Sequence, residues 1–218
     1  MANPAPKPYA TARQGLRTRL ADRYSLRARR RRLELFERLL GPRPGESAVD
    51  IGCGTAGLAT VGTSLQVTGV DRDPRPGYPG ARFVQADATR LPFADGEFDI
   101  AYSNSVVEHL APGDRAAYAA ELRRVGGRWL VQTPNRLFPV EPHALLPFVH
   151  WLPRRLGRAL WRLGVSGDPY DEVRLLGIGE LRRLFPDAVI VRERVGPLTK
   201  SVVAVGPPDR VSGGPGRG

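Results

Sequence analysis

Ala48-Val49-Asp50-Ile51-Gly52-Cys53-Gly54-Thr55-Ala56-Gly57 runs from a short apolar stretch straight into a cluster of glycines. Ser47 to Ile51 reads as a buried strand, and a brief helix is expected from about Ala56. Glycines at such a junction permit a tight turn and let the backbone come close to a ligand. The helix N-terminus that follows would present unpaired N–H groups and a partial positive charge. Gly52-x-Gly54-x-x-Gly57 also satisfies the dinucleotide fingerprint, and Asp71 lies near the distance expected for its ribose-binding acid. On the loop alone a dehydrogenase stays open, as does a tight turn with no ligand.

Outward from the loop the pattern alternates. Gln66 to Val70, Arg82 to Gln85, Phe98 to Ser103 and Arg128 to Gln132 read as further strands, with a helix over Asp114 to Arg124. Ile178 to Phe185 reads as a helix, and Ala188 to Glu193 and Ser201 to Val205 as closing strands. Strands alternating with helices predict an α/β fold with a mostly parallel sheet covered on both faces. Only a short stretch around Gly196-Pro197 joins the last two strands. That is too short for a parallel crossover, so the pair should be antiparallel. Upstream, Leu33, Phe36, Leu39 and Leu40 recur at helical spacing and predict a helix from about Ser25 to Leu40, stopped by Gly41-Pro42-Arg43-Pro44-Gly45. The run Arg29 to Arg32 on it reads first as a solvated face.

Three more segments bear on the cofactor. Val67-Thr68-Gly69-Val70-Asp71 puts a carboxylate at the end of the second strand, and Phe83-Val84-Gln85-Ala86-Asp87-Ala88 puts another after the third. Leu91-Pro92-Phe93-Ala94-Asp95-Gly96-Glu97-Phe98-Asp99 leads into the fourth strand, which ends in Ser103-Asn104 ahead of Val106-Val107-Glu108-His109-Leu110. Together these resemble the class I S-adenosylmethionine-dependent methyltransferases, in particular the subgroup with quinone-biosynthesis and many small-molecule enzymes. The resemblance is strong over Ser47 to Leu110 and continues more weakly to Val205.

The resemblance implies a Rossmann-like, seven-stranded, mostly parallel sheet with an antiparallel last strand and helices on both faces. It implies S-adenosylmethionine as cofactor. Asp50 and the Gly52, Cys53 and Gly54 backbone would line its methionine end. Asp71, with Arg72 beside it, would take the ribose hydroxyls. Asp87 would accept from the adenine amino group, the Ala88 N–H would meet a ring nitrogen, and Leu91 would offer an apolar face. Ser103 is carried over as a further lining residue. Two departures stand out. The family commonly has glycine where this chain has Ala56. It also usually has a helix between Asp73 and Arg82, where this chain has only Pro74-Arg75-Pro76-Gly77-Tyr78-Pro79-Gly80-Ala81 and no helix is expected.

Methyl transfer needs alignment of nucleophile and methyl, and a general base where the acceptor is a hydroxyl. His109, after the fourth strand, is one candidate base; a structural Glu108-His109 pair is the alternative. The Pro-rich segment from Thr133 to His143 follows the fifth strand, at the sheet edge where ligands bind. It nominates Asn135, Arg136 and Glu141 for the acceptor and His143 as a second catalytic candidate, against a rigid connector with a capping histidine. The three histidines and single cysteine show no metal-ligand spacing, so no metal is expected.

Residues 134–175 read as a helical lid insertion. Within it Pro153 can start a helix on which Arg154, Arg158 and Arg162 align, with Leu156, Leu160 and Leu163 opposite. A basic amphipathic helix near Trp151 suits an anionic membrane through residues 144–164 and a lipid-linked acceptor. A cover over the substrate pocket or a homodimer contact is the competing reading.

The 218 residues fit one domain over 25–205, with a basic tail at 1–24 and a Gly/Pro-rich tail at 206–218, both expected to be disordered. No apolar run approaches the roughly 18–20 residues that span a bilayer, and the basic N-terminus lacks a secretory h-region. A cytoplasmic protein, with membrane association left open, is therefore expected. The net charge of +11 is almost all arginine. That suits nucleic acid or an anionic surface, but also a genome rich in G and C. No Asn-Pro-Pro-aromatic motif follows the fourth strand, which counts against nucleic-acid methylation, although RNA carbon or ribose methylation stays open. The leading expectation is a methyltransferase acting on O, N or C of a small or lipid-linked metabolite. A degenerate cofactor-binding module without catalysis is the alternative.

Overall fold

The computed structural model describes residues 31–55, 57–61, 63–165 and 169–211. The proposed tail at 1–24 and the arginines at 29 and 30 lie outside them. Helix α1 covers 31–40 and buries Leu35, Phe36, Leu39 and Leu40. Gly41 ends it with a positive φ of 53°, its N–H donating to the Glu37 carbonyl at 2.9 Å.

The strands are β1 (Ser47–Ile51), β2 (Gln66–Asp71), β3 (Arg82–Gln85), β4 (Phe98–Asn104), β5 (Gly126–Pro134), β8 (Val189–Val195) and β9 (Leu198–Gly206). They form one seven-stranded sheet in the order β3-β2-β1-β4-β5-β9-β8. Strands β1 to β5 are mutually parallel, and β9 is antiparallel to both β5 and β8. The antiparallel closing pair is thus as expected, turned at Gly196 with φ 58°. The chain crosses from β3 to β4 after passing outward through β2 and β3. The carboxyl ends of β1 and β4 therefore lie side by side at the point where strand order reverses, which is where open α/β sheets bind ligands.

One face of the sheet packs on α2 (Arg115–Val125) and α4 (Ile178–Leu184) through Tyr118, Leu122, Val125 and Leu181. The other face packs on α1, Leu58 and Tyr78. The helix expected from about Ala56 is a single 3-10 turn, Leu58–Val61. The segment between Gly57 and β2 is too short for a full α-helix that must also return the chain to the sheet. As expected, no helix joins β2 to β3. The Tyr78 ring covers β2 there instead: a Cβ on Gly69 would meet it at 2.4 Å. Gly69 is thus the opening in β2 that lets the hydroxyl end of an aromatic ring approach the strand where a helix is missing.

The lid follows β5. It holds a hairpin of β6 (Val140–Glu141) and β7 (Leu146–Pro147), a 3-10 turn at Val149–Trp151, helix α3 (Arg154–Trp161) and a 3-10 turn at Tyr170–Glu172. Ala144, Val149 and Trp161 give it a small core of its own. Among the described residues three backbone bonds tie its ends down: Asn135 N–H to the Lys200 carbonyl and Arg136 N–H to the Leu176 carbonyl, each at 2.9 Å, and Arg174 N–H to the Glu108 carbonyl at 2.8 Å. The expected disorder from 206 onward does not hold for 207–211, where Pro208–Arg210 forms a 3-10 turn and Val211 packs on the α1 side of the sheet. Residues 212–218 lie outside the described set.

Candidate active site

The glycine loop is shaped by two acids. Asp50 is buried, and its Oδ2 accepts the Leu58 N–H at 2.5 Å. Gly52 and Gly54 take positive φ of 74° and 52°, which strain a side chain. A Cβ on Gly52 would strike Val106 at 2.2 Å, whereas one on Gly54 would meet nothing within 4 Å. Gly52 is therefore fixed by packing, and Gly54 fronts open space. Gly54 N–H donates to Asp71 Oδ2 at 2.9 Å, so the second acid holds the loop. Ala56 lies outside the described residues.

Burial pushes the Asp50 carboxyl up to about 7, with the charge of Asp71 adding to it and the Leu58 N–H opposing. The buried Cys53 thiol is pushed up to about 12, by burial first and then by Asp50 and Asp71. That makes it an inert wall. Asp71 Oδ1 accepts from the Asp73 N–H and from Arg75 Nη2, each at 3.0 Å. Arg75, from the shortened β2–β3 segment, was not anticipated from the sequence, and nothing in its spacing marks it out.

The remaining residues carried over from the resemblance divide. Asp87 is exposed and held below the usual carboxylate range by the Thr89 N–H and hydroxyl. Arg72 is exposed, Ala88 half-buried and Leu91 buried, its N–H donating to Glu121 at 2.7 Å. Ser103 is fully buried, and its hydroxyl donates to the Ile51 carbonyl at 3.0 Å, so its side chain ties β1 to β4.

On the other side of the β1/β4 edge, β4 and β5 pair Asn104 with Gln132 and bring their following loops together. Glu108 is fully buried in a 3-10 turn, Val107–His109, with Oε2 accepting the Thr133 hydroxyl at 2.9 Å. His143 lies between two acids: its Nδ1 is 2.7 Å from Glu141 Oε1 and its Nε2 is 3.8 Å from Glu108 Oε1. The His109 and His143 rings meet edge to face, with centroids 5.1 Å apart. The two histidines read separately from the sequence thus share one site. Glu141, also fully buried, accepts the Ala144 N–H at 2.6 Å. Asn135 is turned inward, donating to the Thr199 carbonyl at 2.9 Å, and shapes the loop. The exposed Arg136 lines a cavity of about 390 Å³ within the lid with Glu141, His150, Arg154, Tyr170 and Arg174. His150 Nε2 donates to the Arg136 carbonyl at 3.0 Å, and burial lowers its pKa.

On α3, Arg154 and Arg158 both pair with Asp171, at 2.6 and 2.5 Å. Two of the three aligned arginines therefore already have a partner within the lid. The opposite side of the helix leaves Leu156, Leu160 and Leu163 exposed, beside exposed Phe148 and Trp151. No described helix is long and apolar enough to cross a membrane.

Strand order, a glycine loop after β1, an acid at the end of β2 and a reversed closing strand define the class I methyltransferase fold. Residues 49–128 match the family model described as a methyltransferase domain. A demethylmenaquinone methyltransferase of Beutenbergia cavernae is 38% identical over 103 residues, 42% of this chain and 42% of the relative. A 2-methyl-6-phytyl-1,4-hydroquinone methyltransferase of Synechocystis is 33% identical over 94 residues, 38% of this chain and 29% of the relative. The chain spans less than half the length of these curated relatives in the match. Among solved structures, a Pyrococcus horikoshii protein superposes with a TM-score of 0.56 at 18% identity, covering 83% of this chain and 89% of its own. The N-methyltransferase NodS of Bradyrhizobium japonicum, solved with S-adenosylhomocysteine, superposes with a TM-score of 0.53 at 13% identity, covering 81% and 85%.

Proposed function

We propose that this chain transfers a methyl group from S-adenosylmethionine to a small acceptor of quinone or hydroquinone type, free or lipid-linked. The observation that carries the reading is the pairing of Asp71 with the Gly54 N–H beside open space over Gly54. Asp50 faces the cationic methionine end, Asp71 the ribose, and Asp87, Ala88 and Leu91 the adenine. The acceptor enters from the lid side, past Arg136, toward the His109–His143 pair. There its nucleophilic atom attacks the methyl carbon. The S–CH3 bond breaks with its electron pair going to sulfur, and the acceptor proton passes to a histidine or to water. The names of the two curated relatives support the acceptor class, and the exposed leucines of α3 support an apolar or membrane-held one.

Calorimetric titration with S-adenosylhomocysteine, with NADH as control, tests the cofactor. Binding of the homocysteine compound and not of NADH is expected. NADH binding alone would turn the reading to a dehydrogenase. A chain that binds the homocysteine compound but methylates no quinol in a turnover screen would be a cofactor-binding module.

A further inference from the structure

In the Glu108–His109–His143 cluster one buried carboxylate oxygen goes unanswered. Glu108 and Glu141 are both fully buried, and among the described residues the only group of potential positive charge within 4.0 Å of either is His143. Glu108 Oε1 has no hydrogen-bond partner at all. His143 presents Nδ1 to Glu141 and turns Nε2 toward Glu108. Nε2 and the orphaned Glu108 oxygen stand 3.8 Å apart, too far for a hydrogen bond. A buried carboxylate oxygen left without a donor is costly, and a cation held between it and the two imidazoles answers it.

We propose that Glu108, His109 and His143 bind a divalent transition-metal ion. Their ligand atoms all lie within 4.8 Å of one another. An ion with bonds of about 2.0–2.1 Å spaces tetrahedral ligands by about 3.4 Å, so small side-chain rotations close the shell. Two imidazoles and one carboxylate suit zinc, manganese, iron or cobalt in preference to magnesium or calcium. Glu141 is then the outer carboxylate that fixes the His143 tautomer, and Thr133 performs the same task for Glu108. Three protein ligands leave positions for an acceptor oxygen, whose proton the ion would make easier to lose to solvent. That role rests on the methyl-transfer reading; the ion site does not.

Tag-free protein, stripped with a chelator, is titrated with Co2+ and Zn2+ by calorimetry, and Co2+ uptake is followed by its visible absorption. One ion per chain is expected. Glu108→Gln and His143→Ala should abolish stoichiometric binding, and Glu141→Gln should weaken it by about ten- to hundredfold. Circular dichroism confirms that each variant is folded; the isosteric Gln variants preserve the packing. No uptake by the parent protein, or uptake unchanged in Glu108→Gln and His143→Ala, overturns the site. S-adenosylhomocysteine titration of the metal-free protein is independent. Ion uptake without homocysteine-compound binding would uphold the metal site and remove its link to methyl transfer.

Discussion

Gly57 lies flush against the carboxylate of Asp50: a Cβ added there would stand 2.1 Å from Asp50 Oδ2 and 2.8 Å from the Cys53 carbonyl oxygen. Asp50 has no way to give, because it is buried and bonded to the Leu58 N–H. Overpacking of this kind costs about 1–3 kcal/mol. Gly57→Ala is expected to lower stability by about 2 kcal/mol in chemical denaturation and to weaken S-adenosylhomocysteine binding. An unchanged midpoint would show that the loop is slack.

The Asp50 carboxyl gives the site a pH dependence with a defined sign. Its folded pKa of about 7 lies above its ordinary 3.8, so the folded state holds a proton that the unfolded state has lost. Its contribution to stability is complete below about pH 4 and is lost as pH rises through about 7. Cationic S-adenosylmethionine prefers the ionised form, so its binding should strengthen by about tenfold between pH 6 and pH 8. Asp50→Asn should remove most of that slope. A slope unchanged in the Asn variant would assign it to the ligand.

Asp71 is already committed on both oxygens, to Gly54, Asp73 and Arg75. Asp71→Ala should weaken cofactor binding by at least about tenfold, given about 1.5–3 kcal/mol for each charge-assisted hydrogen bond. Arg75→Ala should change binding by less, because the backbone N–H groups still orient the carboxylate. Equal losses in calorimetry would make Arg75 a cofactor ligand in its own right.

The lid makes a prediction about surfaces. With Arg154 and Arg158 held by Asp171, the side of α3 available to a bilayer is the leucine side. Leu156→Ser with Leu163→Ser should reduce partitioning onto phosphatidylglycerol vesicles by at least about tenfold, since full burial of each leucine contributes about 1.5–3 kcal/mol and about 1.4 kcal/mol is one decade. Cofloating that follows salt and ignores the leucines would point to the arginines instead.

The seven strands were legible because buried parallel strands are short apolar runs between turn residues, as in Ala48–Ile51 and Val67–Val70. The antiparallel end followed from the length of one connection. The helix after the loop was misjudged because a strand–glycine–helix junction has a usual form, and only the distance from Gly57 to Gln66 reveals that a 3-10 turn replaces it. The Glu108, His109 and His143 cluster left no trace in spacing. Metal-ligand patterns are read along one helix or one loop, whereas these residues come from two loops that meet only because β4 and β5 are neighbours in the sheet. Asp171 as the shared partner of Arg154 and Arg158 was hidden for the same reason.

Tyr78 lying over Gly69 changes how this fold can vary. A helix that walls a nucleotide site moves as a body, and altering it takes many coordinated substitutions. Here one ring, turning about two bonds, covers that part of β2, and burial of its hydroxyl, with the Asp50 carboxyl adding to the effect, holds it neutral. A single codon therefore sets the shape of that wall, and a change at position 78 reaches the glycine loop without passing through any other element.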